Sequence, residues 1–267
     1  MFRDYSIETD ENKIIKNTYK NQRANINFLF NEYLLSKYCK FDKRENFWTL
    51  FDRLNDITDL SDPDMSHPNI YHALQTAEAI RKNNLPDWFI LTGLIHDFGK
   101  ILFLNGSDKD GTSINTQWSI VGDTFITGYP IPSSVVYPEL NDYNLDHKNR
   151  INLYMPHCGL KNCSVSFGHD EYLFRLLKHN KTTLPEEALY MIRYNSLYAW
   201  HDKNEYSELE SVEDVFYKKY VQEFNSYDLY TKDNQNLIEL TDDTKEFYSR
   251  LIQKYISPDL MIFYQKN

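Results

Sequence analysis

The stretch Pro86–Leu104, PDWFILTGLIHDFGKILFL, decides the fold. From Trp88 to Leu104 it is apolar nearly all round, with Phe89, Ile90, Leu91, Leu94, Ile95, Phe98, Ile101 and Leu102. That pattern predicts a helix buried at the centre of a domain. Three polar side chains interrupt it: His96, Asp97 and Lys100. At 100° per residue they fall within one arc of about 100°. An ionised Asp is rarely buried unless it is paired or holds a metal, because desolvation is expensive. The plainest account is a buried ion pair between Asp97 and Lys100, with His96 hydrogen-bonded. The other is a metal ligand set.

Outward from this stretch, helical patterns dominate. Asn21 to about Tyr38 and Arg44 to about Leu54 read as amphipathic helices. Pro68 suits the first turn of the next helix, where its missing N–H is not needed. On that helix Ala73, Thr76, Ala77 and Ile80 share one face, and Gln75, Glu78 and Lys82 lie opposite, towards solvent. Residues 105–116 (NGSDKDGTSINT) read as a loop, and 119–139, with two Gly and three Pro, as irregular chain holding a short strand at Ser133–Tyr137. Further helices are expected over Asp170–Lys178, Pro185 to about Tyr198, Asp214–Tyr230 and Thr241–Tyr255. No βαβ alternation and no linker appear. The expectation is a mainly α fold, a helical bundle with little or no sheet, in a single domain over residues 1–267.

The bulk numbers exclude several classes. The chain has 267 residues, 41% of them apolar, which is ample for a core. Its formal net charge is −10 with no basic run, a poor match to nucleic acid or anionic membrane. The opening MFRDYSIETDENK has no apolar signal segment, and no window approaches the roughly 18 to 20 apolar residues of a membrane span. Cys39, Cys158 and Cys163 form an odd set without CxxC, which reads as reduced thiols in a cytoplasmic protein.

Other residues extend the polar set. His72 sits at the edge of the buried face of the helix before His96-Asp97. Asp228 shares a stripe with Val221 and Phe224 at spacings i, i+3, i+7, and Lys218 and Lys219 are about 15 Å away along that helix. His169 follows Gly168 at a helix start. Imidazole with carboxylate suits Fe, Mn or Zn, and one Asp can bridge two ions. A His, a later His-Asp, another His and a late Asp make the pattern of an HD domain. It admits phosphoester hydrolysis with two divalent ions, or oxygenation at a di-iron centre.

Longer strings narrow the choice. SDPDMSHPNIYHALQTAEAIRK, GLIHDFGKIL, QWSIVGDTF, YMPHCGL, SFGHDEYLF, LPEEALYMIRYNSLYAWH and EFNSYDLYTK occur in one order. Together they resemble the myo-inositol oxygenase family, from Phe2-Arg3-Asp4-Tyr5 to about Tyr255. The resemblance implies a monomeric HD-domain fold with a mixed-valent Fe(II)/Fe(III) pair that cleaves myo-inositol with O2 to D-glucuronate. It implies a first iron on His72, His96, Asp97 and Asp228, with Asp97 bridging to a second iron on His169. It implies substrate contacts from Arg3, Asp59, Leu60, Ser61, Lys100, Gly122, Asp123 and Ser196. Lys100 beside a substrate oxygen would favour its alkoxide form, so Lys100 and Asp97 are the expected catalytic residues.

One position departs from the family. Where the family has the second iron's other imidazole, immediately before Ser196, this chain has Asn195. An amide oxygen is a neutral, harder and weaker donor for iron. Asn195 is therefore carried as a ligand and substrate contact of reduced strength. Loss of the second iron, a different substrate, or a metal-binding protein without catalysis are the other outcomes this exchange leaves open.

Overall fold

The apolar stretch that opens the sequence reading does lie at the centre. In the computed structural model, which describes residues 9–59, 61, 67–230 and 237–265, Leu91, Leu94 and Ile95 are fully buried. Each such side chain contributes about 1.5–3 kcal/mol of burial. The elements in chain order are α1 (Asp10–Asn25), α2 (Phe28–Tyr38), β1 (Lys43–Asn46), α3 (Phe47–Phe51), α4 (Asn69–Lys82), α5 (Asp87–Ile95), α6 (Leu145–Lys148), α7 (His169–His179), α8 (Glu186–Tyr194), α9 (Tyr198–His201), α10 (Val212–Tyr230), α11 (Asp242–Tyr255) and β2 (Met261–Tyr264). The fold is mainly α. Its one sheet among the described residues pairs β1 antiparallel with β2, Lys43 opposite Tyr264 and Asn46 opposite Met261. Helix α5 packs on α4, α8 and α11, and α10 lies against α8 and α4.

Several boundaries differ from the sequence reading, each for a tertiary reason. The helix expected over Asn21–Tyr38 is two helices. Asn144 Nδ2 donates to the carbonyls of Arg23 (3.0 Å) and Ile26 (2.8 Å), closing α1, and Asn27 accepts from Phe30 N to cap α2. The helix expected from Arg44 begins as strand β1, because its partner β2 arrives from the other end of the chain. Ser133–Tyr137 is turn and bend, not strand. There the carbonyls of Ile131 and Pro132 accept from Asn141 Nδ2, and Pro130, Pro132 and Pro138 have no N–H to give a ladder. Gln75 and Glu78 do not face solvent. Both are buried, and Tyr248 Oη of α11 donates to Glu78 Oε1 at 2.6 Å.

The central helix also ends early. α5 stops at Ile95, His96 and Asp97 form its turn, and residues 98–105 continue as a 3-10 helix. This brings the chain close to the start of α7. A Cβ built on Gly99 would stand 2.1 Å from the carbonyl oxygen of His169, which is backbone and cannot swing away. Gly99→Ala is therefore expected to cost about 3 kcal/mol or more by denaturant unfolding. Unchanged stability would show that the two backbones separate freely.

Candidate metal centre

The turn after α5 aims three polar groups at one point. Gly93 O accepts from His96 Nδ1 at 2.8 Å, so the proton sits there and Nε2 turns its lone pair inward. That Nε2 lies 3.2 Å from His72 Nε2 on α4 and 3.3 Å from Asp228 Oδ1 on α10. His72 Nε2 is 2.6 Å from the same Asp228 oxygen. Donor atoms of His72, His96 and Asp97 all lie within 4.8 Å of one another. Two imidazole lone pairs facing each other at 3.2 Å repel unless a proton or a metal ion stands between them. Separations near 3 Å are those of neighbouring ligands on an ion with bonds of about 2.0–2.2 Å.

Asp97 faces two ways. Its Oδ2 is 3.7 Å from His96 Nε2, and its Oδ1 is 3.4 Å from His169 Nε2. Oδ2 also accepts from Asn69 Nδ2 and Lys100 Nζ, each at 2.9 Å. The buried ion pair read from the sequence thus forms alongside the imidazole cluster. His169, first residue of α7, gives its Nδ1 proton to Ile120 O at 2.7 Å, which again leaves Nε2 facing the cluster. Among the described residues no lysine pairs with Asp228: Lys218 instead pairs with Glu210 at 2.8 Å.

Among the described residues the cluster holds four buried carboxylates, Asp59, Asp97, Asp170 and Asp228, and one buried ammonium, Lys100, which bonds Asp97 and also Asp59 Oδ2 at 2.8 Å. With neutral imidazoles that is an excess of three negative charges inside the protein, which demands cations. The titration behaviour agrees. Burial opposes charge on Asp97 and Asp228, yet Lys100 and the histidines hold Asp97, and His72 and His96 hold Asp228, well below the carboxylate range. Burial likewise opposes protonation of His169, yet Asp170 raises it to about 9. A site that pulls protons onto its imidazoles this strongly offers the same field to a metal ion.

Of the other expected contacts, Asp59 and Ser196 touch members of this cluster. Asp59 Oδ1 accepts from Ser61 N (2.8 Å) and Ser61 Oγ (2.7 Å). Burial disfavours its charge, but Lys100 and Ser61 outweigh that and keep it ionised. Gly122 adopts φ +84°, and Asp123 is clamped by Tyr19, whose hydroxyl donates to Oδ1 (3.1 Å) and accepts from Asp123 N (3.2 Å). Ser196 is buried, its N–H on Asp170 Oδ2 and its carbonyl on Thr124 N. These backbone bonds explain why α8 ends at Tyr194 instead of running on to Tyr198. Asn195, in that break, reaches Asp228 Oδ2 with Nδ2 at 3.4 Å, and its Oδ1 is buried without a hydrogen-bond partner. His201 cannot replace the missing imidazole, because its Nε2 is spent on Asn195 O at 2.9 Å. Arg3 and Leu60 lie outside the described residues.

Sequence reasoning missed three groups. Asn69 steadies Asp97, Tyr19 steadies Asp123, and Asp170 touches His169. Only Asp170 carried a signal, an acid directly after the candidate ligand His169, and a carboxylate at a helix start has an ordinary explanation in the helix dipole.

The sequence profile of the Myo-inositol oxygenase family matches residues 12–263. Inositol oxygenase of Rattus norvegicus is 45% identical over 213 residues, covering 76% of this chain and 70% of the rat protein. That of Sus scrofa is 40% identical over 237 residues, covering 84% and 80%. The probable inositol oxygenase of Oryza sativa subsp. japonica is 39% identical over 267 residues, covering 97% and 84%.

Proposed function

The chain belongs to the myo-inositol oxygenase family, and we propose that it is an oxidoreductase that cleaves myo-inositol with O2 to D-glucuronate at a two-iron centre. The observation that carries this reading is the buried set of three imidazoles and four carboxylates, two of which share the one buried lysine found there among the described residues. In this reading His72, His96, Asp97 and Asp228 hold the first iron. Asp97, His169 and, weakly, Asn195 hold the second. Support for the bridge comes from the two Asp97 oxygens, which face different imidazoles. The irons supply Lewis acidity and electrons to O2 when bound.

The protein's own groups bind and orient the polyol. Each substrate hydroxyl both donates and accepts, so Asp59, Ser61, Asp123 and Ser196 can satisfy a ring of them, and the family resemblance adds Arg3 and Leu60 as further substrate contacts. Lys100, already gripped by two carboxylates, presents a fixed positive charge that favours an alkoxide on a neighbouring substrate oxygen. Lys100→Met should therefore lower kcat/KM about 100-fold, roughly 2.7 kcal/mol, with metal content unchanged. Loss of metal in that variant would recast Lys100 as a partner of Asp97 alone.

We assign the chain to one HD-type domain acting as a monomer in the cytoplasm. Its three cysteines are free, as a reducing compartment maintains, and no helix among the described residues is long and apolar enough to cross a membrane. The direct test is to incubate the reduced, iron-loaded protein with myo-inositol and O2 and to assay glucuronate. Iron-loaded protein that makes none, but releases phosphate from a phosphomonoester with Mn(II), would overturn the oxygenase reading in favour of a hydrolase.

A further inference from the structure

Asp170 enters the centre described so far only as a neighbour of His169, and its environment is costly. Its side chain is completely buried. One oxygen, Oδ2, is fixed by the Ser196 N–H at 2.9 Å. The other, Oδ1, makes no hydrogen bond although it lies 2.9 Å from His169 Nε2. That same nitrogen is 3.4 Å from Asp97 Oδ1, and its ring is oriented by Ile120 O through Nδ1. On an ion with bonds of about 2.1 Å, neighbouring ligands stand about 3.0 Å apart in an octahedron and about 3.4 Å apart in a tetrahedron. The two separations at His169 Nε2, 2.9 and 3.4 Å, are short enough for both carboxylate oxygens to share one ion with that nitrogen. A second buried oxygen without a partner, Asn195 Oδ1, belongs to the residue next to Ser196, whose N–H holds Asp170.

The geometry points to Asp170 as a ligand of the second metal ion, supplying through Oδ1 the donor that Asn195 no longer supplies as an imidazole. The inference rests on the two-ion reading above. It makes the second position oxygen-rich: His169 Nε2, Asp97 Oδ1, Asp170 Oδ1 and the neutral amide oxygen of Asn195. Such a set takes hard ions, Mn(II) or Fe(III), better than an imidazole pair does. It also gives a donor role to a buried carboxylate oxygen whose neighbour at 2.9 Å is the His169 imidazole.

The test counts ions and then locates them. Metal-free protein is reloaded with Fe(II) without oxygen, and iron per chain is measured. Wild type is expected to hold two and Asp170→Asn one. In the variant the new amide oxygen still accepts the Ser196 N–H, and thermal melting checks the fold. Asp170→Asn combined with Asn195→His should return the count to two. Crystals of the wild type soaked in Mn(II) give a reading that needs no variant: the anomalous peak of the second ion should lie within about 2.4 Å of Asp170 Oδ1. A peak well away from that oxygen, or two irons in Asp170→Asn, overturns the assignment. One iron in wild type would overturn it together with the two-ion reading, even if Asn195→His held two.

Discussion

Asp97→Ala is expected to empty both ion positions together, taking bound iron from two per chain to none and glucuronate formation down by at least roughly 1000-fold. The expectation follows from what the carboxylate touches. Its Oδ2 faces His96 and its Oδ1 faces His169, and no other described side chain approaches both imidazoles. Removing it takes one anionic ligand from each ion. It also removes the anionic oxygens that the two ions share, so each position keeps only its own donors. The fold should survive. Lys100 keeps its 2.8 Å contact with Asp59, and the losses are the hydrogen bonds from Asn69 and Lys100, about 1–3 kcal/mol in the metal-free protein. Metal analysis, with thermal melting of the metal-free forms as control, reads this directly. Two irons retained in Asp97→Ala would remove Asp97 from its bridging role.

The residues of the first position were legible because each broke a local pattern. Asp228 stands on a stripe with Val221 and Phe224, and both of those are fully buried, so a carboxylate there had to be compensated. His96 and Asp97 interrupt a run of buried apolar residues. What compensates them was not legible. The approach of α4 to α10 that puts His72 against Asp228 spans 156 residues of sequence, and nothing local encodes it. The same reason hid β1, whose charged sequence KREN reads as a helix start until β2 pairs with it. It hid the burial of Glu78 too, since Tyr248 of α11 meets a face that the sequence of α4 alone assigns to solvent.

Asp170 escaped for a different reason. Acidic residues in the first turn of a helix are common and favourable, so one more drew no notice. Only its complete burial, and the approach of one oxygen to His169 Nε2, separate it from a dipole residue. The break between α8 and α9 is linked to this. Asp170 holds the Ser196 N–H, Thr124 donates to the Ser196 carbonyl, and the chain at 195–197 leaves the helix with the Asn195 side chain beside Asp228. A helix read as continuous to Tyr198 places that side chain on the wrong arc.

Asn195→His is expected to tighten the second ion by at least about 10–100-fold, the scale that even outer-shell changes reach at metal sites, and to raise the rate of glucuronate formation at limiting iron by a similar factor. The position is ready for it. Asn195 is buried at the end of α8, its carbonyl is held by His201, and its Oδ1 has no partner to lose. An imidazole there replaces a weak neutral oxygen with a stronger donor for iron. It also adds volume at a packed position, so part of the gain is offset by about 1–3 kcal/mol of strain in the metal-free form. The two effects separate by measurement. Metal-free Asn195→His should melt below wild type, and with iron in excess the order should reverse, because ligand binding to the folded state adds stability in proportion to affinity. At saturating iron the count should be two in both proteins, with the variant reaching it at lower free iron. A variant that binds the second ion no more tightly, while folding normally, would mean that Asn195 faces away from that ion, and the coordination would then rest on Asp97, His169 and Asp170 alone.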